Sequence, residues 1–135
     1  MALQLSVAVR NAMLDAIETA IGTAAVMKIR TGAPPATVAT ADGGTVLATL
    51  SLPSDWLAAA SSGSKAKSGT WEDSSADAAG TAAHFRIYAS DGTTAHLQGT
   101  VTATGGGGDL TVDNTSFAAG QSFSVTSFTI SAANS

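Results

Sequence analysis

Two histidines, ten carboxylates and a run of four glycines are the residues of this 135-residue chain whose types could do chemistry. His84 and His96 flank Asp91-Gly92. If that dipeptide turns a tight hairpin, both imidazoles lie on paired strands and could join Asp91 around a metal. No further ligand stands at a defined spacing, so histidines facing solvent or a subunit contact are the simpler reading. The carboxylates gather as Glu72, Asp73 and Asp77 and as Asp109 and Asp113. Glycoside hydrolysis needs two carboxylates held across a cleft. Adjacent positions on a strand point to opposite faces, which makes Glu72-Asp73 a poor pair. Calcium at Asp73, Asp77 or Asp42-Gly43-Gly44 lacks the alternating acidic run that such a loop uses. Gly105 to Gly108 precede neither Lys-Ser/Thr nor a helix signal, so they read as a flexible hairpin connection rather than a phosphate loop. Serines are abundant, but there is no G-x-S-x-G turn. Asn114-Thr115-Ser116 fits a glycosylation sequon, with nothing to suggest secretion. The expectation is a protein that is not an enzyme and carries no cofactor and no metal.

The elements that must position these residues begin with one helix. Val7, Arg10, Leu14, Ile17 and Ile21 recur at three- and four-residue steps over 6–21, with Ser6 as N-cap and Gly22 just past the end. Asn11, Asp15 and Glu18 fall mostly off that face. Ala12, Ala16 and Ala20 form a smooth flank where another element could come close. Packing of this helix on its own domain is the first reading, and docking on another subunit the second.

Beyond Gly22 the period falls to two. Strands are expected at 24–30, 45–52, 65–71, 83–89, 95–102, 109–113 and 121–132, with a helical turn at 54–60. Segments 36–44 and 72–81 read as loops. The last strand slips in parity. Phe123 and Val125 are odd, Phe128 and Ile130 even, so a bulge near Thr126-Ser127 is expected. The fold class that follows is mainly β, a β-sandwich or jelly-roll-like barrel of about seven or eight short strands after one N-terminal α-helix. Residues 1–22 form the arm and helix, and 23–135 the β-domain, within one domain overall.

Composition narrows the function classes. Ala, Thr, Ser and Gly supply 76 of the 135 residues, and charged residues only 12%. Apolar burial stabilises by about 25 cal/mol per Å², so a chain this rich in alanine is expected to lean on neighbours as a homo-oligomer. Arg10, Lys28, Arg30, Lys65, Lys67 and Arg86 are scattered on a chain of net charge −4, which offers no phosphate-binding footprint and no nucleic-acid partner. The N-terminus lacks a basic region, and Asn11, Asp15 and Glu18 interrupt its apolar stretch, so neither a leader nor a membrane span is expected. No cysteine is present. The residues expected at a partner interface are Leu3, Leu5, Val7, Arg10, Leu14, Ile17, Trp56 and Trp71. The tryptophans read first as core or interface anchors, and alternatively as platforms that stack on a saccharide, as could Tyr88.

One resemblance adds to this reading. The segments Arg10 to Ile17, Ile29-Arg30-Thr31-Gly32-Ala33-Pro34-Pro35-Ala36, Thr45 to Leu50, Ser74 to Ala82 and Phe85-Arg86-Ile87 resemble small virion-associated proteins of tailed bacteriophages and prophages. Gly99-Thr100-Val101, Asp109-Leu110 and Phe128-Thr129-Ile130 extend the likeness over nearly the whole chain. These motifs are turns and strands, so the likeness carries over no functional residue. It implies a virion structural protein made in bacterial cytoplasm, with the major capsid protein or other virion proteins as partners. Capsid decoration (cement) is the foremost expectation. A tail, baseplate or fibre-associated subunit and a carbohydrate-binding virion module are the alternatives.

Overall fold

Ser6 starts α1 (Val7–Ile21) by accepting the Val9 amide on its hydroxyl at 3.2 Å, and Gly22 ends it at φ 93°, its N–H returning to the Glu18 carbonyl. Both caps stand where the sequence places them. The computed structural model describes residues 3–132. Eleven strands follow the helix in that range: β1 (Val26–Arg30), β2 (Val46–Ser51), β3 (Ser64–Ala66), β4 (Trp71–Asp73), β5 (Gly80–Thr81), β6 (His84–Tyr88), β7 (Ala95–Ala103), β8 (Leu110–Val112), β9 (Ser116–Phe117), β10 (Phe123–Val125) and β11 (Thr129–Ser131). The protein is mainly β and sandwich-like, with one N-terminal helix. The strand count exceeds the seven or eight expected because several strands are only two or three residues long.

The largest sheet has the order β2-β1-β6-β7-β8. Its register pairs Met27 with Leu50 and Ile87, and Lys28 with Thr49 and Arg86. Side chains alternate across a pleated strand, so Met27, Ile29, Phe85 and Ile87 share one face while Lys28, Arg30, His84, Arg86 and Tyr88 share the other. The apolar face meets the second layer, the pairs β10-β4 and β11-β3. Trp56, Trp71, Phe128 and Phe85 form a chain of ring contacts with centroids 5.5–5.9 Å apart.

Several local readings need correction. The helical turn expected at 54–60 does not form. Its amides have tertiary partners instead: Leu57 donates to a Glu18 carboxylate oxygen and Ala58 to the Ala66 carbonyl. The weak strand at 65–71 is two strands, β3 and β4. The parity slip near Thr126 is not a bulge in one strand, because the chain leaves β4, where β10 pairs, and rejoins beside β3 as β11. Phe123, Val125 and Phe128 are all buried as a result. Gly105 to Gly108 join β7 to β8 in parallel, not as a hairpin. A Cβ on Gly106 or Gly108 would come within 3 Å of the Thr102 side chain, so these glycines allow close approach rather than flexibility.

Candidate functional site

The β-body engages three polar residues of α1. The Gly63 amide donates to Asn11 Oδ1 at 2.9 Å, the Ala60 amide to Asp15 Oδ1 at 3.0 Å and the Leu57 amide to Glu18 Oε2 at 3.0 Å. Lys65 on β3 is buried beneath the helix. Its Nζ lies 2.7 Å from Asp15 and 3.3 Å from Glu18 and donates to the Ala58 carbonyl. Burial works against the Lys65 charge, but the two carboxylates outweigh it and hold the ammonium above its ordinary value. Gly63, at φ 76°, sits against the Arg10 guanidinium with no room for a Cβ. Arg10 in turn donates to the Ala132 carbonyl at 3.3 Å.

This docking packs the helix on its own domain, through most of the face that the sequence marks out. Leu14 and Ile21 are buried in the body, and Ile17 packs half-buried against the core. Leu14 therefore serves this chain's own fold and not a partner, while Ile17 and Arg10 are largely engaged internally. Val7 stays 46% exposed, Leu3 80% exposed and Leu5 half-buried. On the outward side of α1, Val9, Ala12, Met13, Ala16 and Ala20 form an exposed uncharged stripe, beside which Asp15 and Thr19 are also exposed. At 100° per residue the stripe spans about one quarter of the helix circumference. Among the described residues the exposed large hydrophobics are Leu3, Val7, Val9 and Met13. Sequence reasoning found the alanine flank but missed Val9 and Met13. The signal available was their i, i+4 spacing, continued by Ala16 and Ala20.

Of the readings of the tryptophans, the core anchor stands and the partner interface is corrected. Trp56 and Trp71 have no exposed surface, and their indole N–H groups donate to the Gly22 and Ser68 carbonyls. They are core anchors because a large ring with one polar atom is satisfied by a single carbonyl. Tyr88 is also buried. None of the three offers a saccharide a stacking surface.

The second polar centre lies on the other side of the main sheet. Segment 31–44 crosses the polar face as a strap, and Arg86 underneath is only 2% exposed. Its guanidinium donates to the Thr37, Val38 and Thr40 carbonyls, to Gln98 Oε1 and to Asp42. Arg30 donates to the other Asp42 oxygen at 2.9 Å and to the Tyr88 hydroxyl, which itself donates to Asp42. Burial pushes the Asp42 carboxyl up, but hydrogen bonds from Arg86 and Tyr88 and the two arginine charges hold it below its ordinary range. Burial raises the Tyr88 phenol, reinforced by Asp42. Asp42 is thus consumed by the strap and free for no calcium ion.

The other candidates are also engaged. His84 is buried with Nδ1 2.7 Å from the Gly32 carbonyl, its Nε2 having no partner, whereas His96 is exposed. His84 pairs with Thr100, four ladder steps from position 96, or about 13 Å. The hairpin does not bring the imidazoles together. Register separates them, since Tyr88 pairs with Ala95 and so puts position 96 beside the turn and position 84 at the far end of β6. In the turn Asp91 accepts the Thr93 and Thr94 amides and the Thr94 hydroxyl and is held well below the carboxylate range. Asp73 accepts the Thr49 amide of β2, and Asp109 the Thr100 amide of β7. Each carboxylate caps a strand edge. A cleft of about 270 Å³ between β7 and β11 has Asp109 as its single titratable lining residue. Among the described residues no three His, Asp or Glu side chains are placed to hold a metal ion, and no helix is long and apolar enough to cross a membrane.

Comparison with protein-family models, with curated proteins and with solved structures returns no match.

Proposed function

We propose that this protein is a structural subunit of a tailed-phage particle, held on the outer head shell as a decoration (cement) protein. The observation that carries the reading is the distribution of its surface chemistry. Of the ionisable side chains raised as catalytic or metal candidates, Asp42, Asp73, Asp77, His84, Asp91 and Asp109 bond within this chain's own fold while Glu72, His96 and Asp113 stand exposed, and among the described residues the exposed large apolar side chains gather on one arm and helix. A surface of that kind suits permanent contact with other protein rather than turnover of a substrate. The small-residue composition supports the same reading, since alanine, serine and threonine faces let copies approach closely in a symmetric shell. The resemblance to virion-associated proteins supplies the particle.

Copy number and location test this. In purified particles the chain is expected on the order of hundreds of copies, as a shell of repeated symmetry requires, and to stay with emptied, tailless heads. Departure with the tails would overturn decoration and make it a tail-associated subunit. Absence from the particle would overturn the structural reading altogether.

A further inference from the structure

We propose that Lys65 and Asp15 join in a spontaneous isopeptide bond, an amide between Lys65 Nζ and Asp15 Cγ that staples α1 to β3, with Glu18 as its acid–base catalyst. The inference is independent of the particle reading. A nucleophile, an electrophile and a base are gathered here from two elements. Lys65 is only 2% exposed, and its Nζ lies 2.7 Å from Asp15 Oδ1 and 3.3 Å from Glu18 Oε1. It also donates to the Ala58 carbonyl at 2.9 Å. Asp15 and Glu18 stand three residues apart on α1, a spacing that makes side chains neighbours on the helix surface, so one lysine from β3 meets both. Asp15 Cγ is one bond beyond Oδ1. A turn of the carboxyl therefore brings it to the near-attack distance of about 3–3.5 Å.

Before reaction the pair is ammonium and carboxylate. Burial of Lys65 favours its neutral amine, and Glu18 is placed to take the ammonium proton. Two backbone amides hold the carboxylates in position. The Leu57 amide binds Glu18 Oε2 and leaves Oε1 beside the amine. The Ala60 amide donates to Asp15 Oδ1 at 3.0 Å, where it stabilises the charge that gathers on that oxygen as Nζ adds to Cγ. Asp15 Oδ2 then leaves as water with the two protons that Lys65 gives up, one of them passed through Glu18. The Nζ–Cγ bond forms and the Cγ–Oδ2 bond breaks. One ammonium and one carboxylate become one amide and one water, with no change in oxidation state. Glu18 ends as the carboxylate it began and accepts the new amide N–H. The Asp15 side chain is 50% exposed, which gives the water an exit. Free amines and carboxylates do not condense in water, but groups held in contact react at effective molarities of about 10⁵–10⁸ M, which favours the bond once the helix has docked.

Mass spectrometry tests this on the purified full-length chain, denatured after several days in the folded state. The intact chain should be lighter than its 13.2 kDa sequence mass by one water, about 18 Da. Trypsin should release peptide 11–28 joined to peptide 31–67, uncut after Lys65, and fragmentation should place the link at Asp15. Lys65→Arg should lose no water. Glu18→Gln should slow the joining by about a hundredfold or more and so stay largely unjoined over the same days, with native circular dichroism showing its fold intact. The full sequence mass with free cleavage after Lys65 would overturn the bond. Loss of water without the joined peptides, as from a succinimide at Asp42-Gly43 or Asp91-Gly92, would overturn it equally. A link at Glu18 in place of Asp15, or joining as complete in folded Glu18→Gln as in the native chain, would overturn the assigned roles.

Discussion

Replacing Arg86 by methionine keeps the length of the side chain and removes its charge and every donor. In the native fold that guanidinium is 2% exposed and holds three strap carbonyls, Gln98 and Asp42. Removing one partner of a buried ion pair typically costs about 3–5 kcal/mol, because the remaining charge and acceptors lose their partners. The lower end applies here. The Asp42 side chain is 34% exposed and keeps Arg30, and the strap residues Thr37 and Thr40 are exposed enough for water to reach them. The expected loss is about 3 kcal/mol, read as a lower urea midpoint at unchanged slope. For a chain of this length that is a fall in Tm of roughly 10 °C. Arg86→Lys should lose a similar share, since an ammonium cannot span the carboxylate, the glutamine and the carbonyls together. Amide hydrogen exchange should quicken throughout 36–44 in both variants, because the strap loses its anchor. A methionine variant within about 1 kcal/mol of the native chain would refute the claim that Arg86 organises the strap.

The Asp42 carboxyl is lowered in the folded state, so its contribution is complete above the unfolded value near 4 and fades as pH falls through the folded one. Stability should therefore drop below about pH 4, and Asp42→Asn should flatten part of that fall; equal acid slopes for both chains would contradict the assignment. Trp56 and Trp71 are sealed in the core, so native fluorescence should be blue-shifted and poorly quenched by acrylamide, and Trp71→Ala should cost about 3–5 kcal/mol. Emission typical of solvated indole would contradict their placement. Deleting residues 1–21 removes Leu14 and Ile21 from the core, each worth about 1.5–3 kcal/mol, and leaves Lys65 without Asp15 and Glu18. That loss rivals the roughly 5–15 kcal/mol that folds a domain, so circular dichroism should find no cooperative transition. A truncated chain that melts like the full-length one would show α1 to be an appendage.

The sequence by itself determined the helix with both its caps, the mainly β class, and the alternation of β6 that puts Phe85 and Ile87 opposite His84, Arg86 and Tyr88. These are local matters of periodicity, capping and turn chemistry, and short-range sterics decide them. Tertiary structure decided the rest. Asp15 and Glu18 read only as lying off the apolar face because their partner, Lys65, lies some fifty residues away, while Val9 and Met13, also off that face, stay outside. Asp42, in a segment that reads as loose loop, became the centre of a clasp only when β1 and β6 brought two arginines beneath it. The two indoles went inward because the second layer closed over them. A charge or a ring takes its place from what the fold sets against it, and that partner has no fixed spacing along the chain.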